Sequence, residues 1–106
     1  MVTLEEFSRL ELRVARVVKA QAHPNADKLL VLTIDTGSNQ KEIVAGIARH
    51  YLPEELVGKL IVVVDNLQSA TIRGVASQGM LLAAQDQGTL ALWVPERPIT
   101  PGSLVR

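Results

Sequence analysis

No cysteine occurs among the 106 residues, which excludes disulfides, thiol catalysis and cysteine-ligated zinc. Charge of one sign is missing too: 11 lysines and arginines balance 11 acids, for a formal net charge of zero. Domains that grip nucleic acid by bulk electrostatics are visibly basic, so neutrality counts against that mode of binding. No apolar run approaches the ~20 residues of a membrane span. Met1 to Glu6 carries two acids and no basic, apolar leader, so a cytoplasmic protein is expected. There is no glycine-rich phosphate loop. Ser77, inside Gly74-Val75-Ala76-Ser77-Gln78-Gly79, lacks the spacing of a nucleophile elbow. Repeats, linkers and low-complexity stretches are absent, so residues 1–106 read as one domain.

Hydrophobic residues make up 47% and charged residues 21%, proportions that call for a packed core. Valine, isoleucine and threonine supply 25 of the 106 residues, in short runs parted by turn signals. Such β-branched runs point to an all-β barrel or sandwich. Thr3-Leu4-Glu5-Glu6 has the form of a capping box, predicting a helical turn to about Leu10. Strands are expected over Glu11–Ala22, Leu29–Thr36, Lys41–Ala45 and Lys59–Asp65. Adjacent Val17 and Val18 break the alternation of the first, which predicts a bulge there. Pro53-Glu54-Glu55-Leu56 starts a second short helix and Gly58 stops it. Met80–Ala84 and Thr89–Val94 flank a hairpin turn at Gln85–Gly88, and the proline-rich tail from Pro95 is extended. Three strands, a short helix and two more strands give the order of a five-stranded Greek-key OB barrel, with SH3-like barrels as the competitor.

Chemistry-bearing residues are few. His23 and Asp27 could form half a metal site, but the plainer reading has Asp27 capping a turn and His23 in solvent. Catalysis, a metal and a cofactor are therefore not expected. The polar, loop-like stretch Asn66–Met80, between two apolar strands, is the candidate binding segment. Arg73 can fork onto a phosphate, while Asn66, Ser77 and Gln78 can hydrogen-bond to sugar or base. Met80 offers a soft apolar surface to a base, or else simply belongs to the core.

Six stretches carry a resemblance over nearly the whole length. They are Glu11-Leu12-Arg13-Val14, His23-Pro24-Asn25-Ala26-Asp27-Lys28-Leu29 and Val44-Ala45-Gly46-Ile47, then Tyr51-x-Pro53-Glu54-Glu55-Leu56-x-Gly58, Asn66-Leu67 and Arg73-Gly74-x-x-Ser77-x-Gly79-Met80. In this order the chain resembles the tRNA-binding domain appended to methionyl-tRNA synthetases, which also occurs as a small stand-alone protein. The resemblance implies an OB fold, a homodimer joined through terminal segments, recognition of tRNA shape, and no catalytic residues. It carries the binding role onto Asn66, Arg73, Ser77 and Met80, with Lys28 as an accessory contact. Methionyl-tRNA synthetase itself is an implied partner. One departure stands out: where the family usually has a basic, proline-containing stretch, this chain has uncharged Gln68-Ser69-Ala70-Thr71. A secretion-related, peptide-binding chaperone of the same fold is the alternative. A similar insert in the phenylalanyl-tRNA synthetase β-chain shares the Arg-Gly-x-x-Ser-x-Gly-Met signature.

Overall fold

The computed structural model describes all 106 residues and is built mainly of strands. A capped turn, α1 (Leu4–Phe7), precedes three antiparallel strands, β1 (Leu12–Ala22), β2 (Leu30–Asp35) and β3 (Gln40–Ala45). The turn α2 (Pro53–Leu56) leads into β4 (Leu60–Val64), and β5 (Ala70–Ile72) and β6 (Val75–Ser77) form a small hairpin. β7 (Met80–Leu81) returns to β4, β8 (Ala83–Asp86) and β9 (Thr89–Leu92) make a second hairpin, and β10 (Leu104–Val105) pairs with β1. The main sheet runs β3-β2-β1-β4-β7. It curls into an OB-like barrel.

Local chemistry explains most of these elements. The Thr3 hydroxyl accepts from the Glu6 N–H and the Glu6 carboxylate accepts from the Thr3 N–H, so α1 is a true capping box. It stops at Phe7, short of the expected Leu10, because none of its residues is buried and nothing rewards a longer helix. The β1–β2 register shifts between Val17 and Lys19, which is the bulge that the valine pair foretold. Pro53 opens α2, and the Leu52 N–H is held by the Glu55 carboxylate at 2.8 Å.

Inside the barrel, Val17, Leu32, Ile34, Ile43, Leu56, Ile61 and Val63 are essentially inaccessible. A second, smaller cluster of Leu12, Val62 and Val64 lies apart from it, under Leu82 and Val105. The tail is therefore only partly free. Its Gly102 adopts a left-handed φ of +95° against Gly37 at φ +93°, and a Cβ on Gly102 would stand 2.8 Å from the Thr36 carbonyl oxygen. Only glycine permits that approach, which docks residues 100–105 on the barrel's own β1 edge.

Two expectations need correction. The stretch Met80–Ala84 is not one strand: after β7 the chain breaks at Leu82, whose N–H reaches back to the Val62 carbonyl, and β8 then pairs only with β9. The segment Asn66–Met80 is not simply a loop, since it contains the β5–β6 hairpin. Its turn residues Arg73 and Gly74 have φ of 51° and 92°. Two successive positive angles match the right-handed twist of a two-residue hairpin.

Candidate functional site

The barrel closes where the edge of β3 meets residues 77–79, and side chains make most of the closure. The Val44 N–H donates to the Ser77 hydroxyl at 2.9 Å, and that hydroxyl donates to the Gly79 carbonyl at 3.1 Å. The Glu42 N–H donates to the Gln78 side-chain carbonyl, and the Gln78 N–H returns a bond to the Glu42 carbonyl. Gly79 packs so tightly that a Cβ would come within 2.9 Å of the Val64 oxygen. An exposed strand edge is thus satisfied without a full ladder.

The β5–β6 hairpin is fastened to the loop between β1 and β2 by a polar clasp. His23, expected in solvent, is instead buried at 6% exposure. The Asn25 N–H donates to His23 Nδ1 at 2.9 Å, so the ring proton lies on Nε2 and is donated to the Ile72 carbonyl at 3.0 Å. Both nitrogens are engaged within the chain, which corrects the half metal site. No hydrogen bond from the Asp27 side chain caps the turn either; the turn is closed by the Leu29 N–H on the Ala26 carbonyl. Around His23, the Arg73 guanidinium donates to the Asn25 carbonyl at 3.1 Å, and the Asn25 side-chain amide donates to the Arg73 carbonyl at 3.4 Å.

The six expected site residues separate into two groups. Asn66 is a structural tie: its amide accepts from the Glu11 N–H and donates to the Arg9 carbonyl, pinning the chain after α1. Ser77 and Gln78 belong to the closure seam, and Ser77 is 4% exposed. Lys28, Arg73 and Met80 are exposed. Lys28 and Arg73 share a concave basin with Asn25, Asp27 and Arg49, while Met80 lies with Ser77 along an apolar groove. None of the four ion pairs in the chain involves Lys28, Arg49 or Arg73. Lys28 and Arg49 make no side-chain hydrogen bond, and Arg73 gives one N–H to the Asn25 carbonyl, so three unpaired cations around one carboxylate make a local positive site on a neutral protein.

Arg49 and Asn25 were not singled out from the sequence. Arg49 stands in the connection after β3, far from Arg73 along the chain, and only the fold brings them together. Asn25 did carry a signal, as the centre of the His23–Asp27 turn. No cluster of three metal-ligating side chains occurs, and no helix is long and apolar enough to cross a membrane.

The family model described as "Putative tRNA binding domain" matches residues 12–104. Among curated proteins, the methionine–tRNA ligase of Thermotoga maritima is 55% identical over 104 residues, covering 98% of this chain and 16% of that protein. This chain thus spans about a sixth of the ligase it matches. Among solved structures, the MetRS related protein from Pyrococcus horikoshii superposes with a TM-score of 0.94 at 34% identity, covering 100% of this chain and 98% of that one. The chaperone CsaA from Bacillus anthracis superposes at 0.91 with 29% identity, covering 100% and 99%.

Proposed function

The chain belongs to the tRNA-binding domain family, a non-catalytic module, and from that premise we propose that it binds folded tRNA by shape at the Lys28–Arg49–Arg73 basin. The observation that carries this reading is the division of labour among the polar residues. Asn66, Ser77 and Gln78 hold the fold, which leaves the three cations to face a ligand. A-form RNA hides its base edges in a deep, narrow groove and displays phosphates and 2′-hydroxyls. Arginine forks suit the phosphates and Asn25 suits a hydroxyl. The module acts in the cytoplasm, either as part of a methionyl-tRNA synthetase or as its partner in supplying tRNA.

Homodimerisation belongs to the same reading. Leu4, Phe7 and Leu10 of the N-terminal segment border a groove with Leu104 and Val105 of the tail. Leu4 is 81% exposed and Leu104 47%, and Trp93, Val94 and Ile99 are exposed nearby in sequence. Soluble monomers avoid apolar surface of that extent, and a two-fold partner would cover it. Two basins at a fixed spacing would then read a large RNA better than one weak basin could.

A gel-shift titration with folded tRNA, single-stranded RNA and an unfolded polypeptide tests the proposal. Folded tRNA should bind best. Each neutralised phosphate contributes about −0.7 to −0.9 to the slope of log K against log salt, and we expect roughly two to four phosphates per subunit. Preference for the polypeptide would instead favour the chaperone reading, to which the CsaA likeness lends support.

A further inference from the structure

We propose that the groove beside Met80 receives one unstacked base of the bound RNA, that Gln68 reads the edge of that base, and that the basin of Lys28, Arg49 and Arg73 holds the adjoining phosphate. This rests on the tRNA reading above and adds base discrimination to it. The groove has a volume of about 310 Å³, and Leu67, Ala70, Ile72 and Met80 supply much of its wall. No charged residue lines it. A surface that met only duplex backbone would have no use for an apolar slot, because backbone presents phosphate and hydroxyl. A splayed-out base presents a flat face that apolar side chains can cover, and Met80 is the adaptable one.

Groove and basin adjoin along two lines. Ile72 lines the groove and the next residue, Arg73, lines the basin. Across from them, Gly46 lines the groove and Leu29 the basin, and a Cβ on Gly46 would sit in ordinary contact, 3.8 Å from Leu29 Cδ2. A ligand spanning both compartments therefore joins a flat apolar part to an anionic one, as a nucleotide does. Three cations can neutralise a phosphate there, and Arg49 and Arg73 present the planar fork that its oxygens match.

Gln68 supplies the reading group. It is exposed at the groove, and unlike Asn66, Ser77 and Gln78 its side chain makes no hydrogen bond within the chain. A free amide offers two donors and one acceptor, which can pair with the Watson–Crick or Hoogsteen edge of a base. A lysine at this position would add charge but could not accept a hydrogen bond.

The test measures fluorescence anisotropy of labelled single-stranded tetranucleotides, one for each base, against the full chain, its Gln68→Ala variant and its Met80→Ala variant. The wild type should favour one base by fivefold or more. Gln68→Ala should shrink that spread below twofold at an unchanged salt slope, and Met80→Ala should weaken all four sequences alike. Equal affinity for every base in the wild type, or a spread that survives Gln68→Ala, would overturn the proposal. So would an apolar peptide that occupies the groove where no tetranucleotide binds. A protein that binds folded tRNA yet ignores base identity loses this proposal and keeps the tRNA reading. One that discriminates tetranucleotides but ignores folded tRNA does the reverse.

Discussion

The wall of β1, β2 and β4 and the small β5–β6 hairpin are held in place by different physics. In the wall, long antiparallel ladders lie over a core where Leu32 and Ile43 are wholly inaccessible. The hairpin has three residues per strand and no fully buried side chain except Ser77. Polar bonds fix it: the His23–Asn25 clasp at one end and the Ser77 hydroxyl at the other. Apolar burial is strong and indifferent to direction, whereas hydrogen bonds are individually modest but position what they hold. A region held by bonds can afford an exposed arginine in a left-handed turn, because little of the core depends on its residues. The wall cannot.

The largest effect expected from this contrast is in the wall. Leu32→Ala removes side-chain atoms from the centre of the barrel, and should cost about 2–5 kcal/mol in urea unfolding. RNA binding should fail only in proportion to the unfolded fraction. A loss of binding at full foldedness would show that the wall and the hairpin are not separable.

The same contrast accounts for what the sequence revealed. β-branched runs, the Val17–Val18 pair, the capping box and Pro53 all act locally, so β1 to β4 and both short helices were legible, whereas the β5–β6 hairpin and the break at Leu82 were not. The site was legible as a segment but not as a set of roles. Asn66, Ser77 and Gln78 have the residue types of RNA contacts, yet the roles the fold gives them depend on partners 33 to 57 positions away. A serine that satisfies a strand edge and a serine that faces RNA look identical in one dimension. His23 was misjudged for the same reason, since its carbonyl partner lies 49 residues downstream. Arg49 joins Arg73 only through the third dimension.

In the hairpin, the sharpest test separates geometry from charge. Arg73→Asn removes the guanidinium but leaves an Asn-Gly pair, the dipeptide most favoured in a turn with two positive φ angles. Binding of tRNA should weaken by about 1.5–3 kcal/mol, the range for a hydrogen bond to a charged group. Melting temperature should change little, because the lost guanidinium bond to the Asn25 carbonyl is exposed and the Asn-Gly pair offsets it. Unchanged affinity in this folded variant would remove Arg73 from the interface.

Ser77→Ala probes the seam between the two regions. It strips the acceptor from the buried Val44 N–H and the donor from the Gly79 carbonyl, and should cost about 1–3 kcal/mol of stability. Amide exchange should quicken first in β3 and β6, which the hydroxyl joins, and only later in β1. If tRNA affinity fell tenfold while exchange and stability stayed at wild-type values, Ser77 would be an RNA contact after all, and the seam would be secondary.

The smallest expected effect lies outside both regions, in α1, where a polar bond has neither a core behind it nor a partner across the barrel. The Glu6 carboxyl is held below the ordinary glutamate range by its bond from the Thr3 N–H, with the Thr3 side chain as a second cause. A carboxyl whose folded-state value is depressed stabilises the fold above its unfolded value and loses that contribution as pH falls through the folded one. The window is therefore acidic, below about pH 4.3, and the loss stays local because α1 buries none of its residues. Asn66 holds the Arg9 carbonyl and the Glu11 N–H whatever the state of Glu6, so fraying should stop before β1. In an acid titration followed by amide chemical shifts, Thr3 should move in that window while Leu12 and Val14 stay still. Glu6→Gln, which keeps an acceptor but cannot titrate, should abolish the step. A step at Thr3 that persists in Glu6→Gln would assign it to another carboxylate, and a step shared with β1 would show that the barrel depends on a turn that buries nothing.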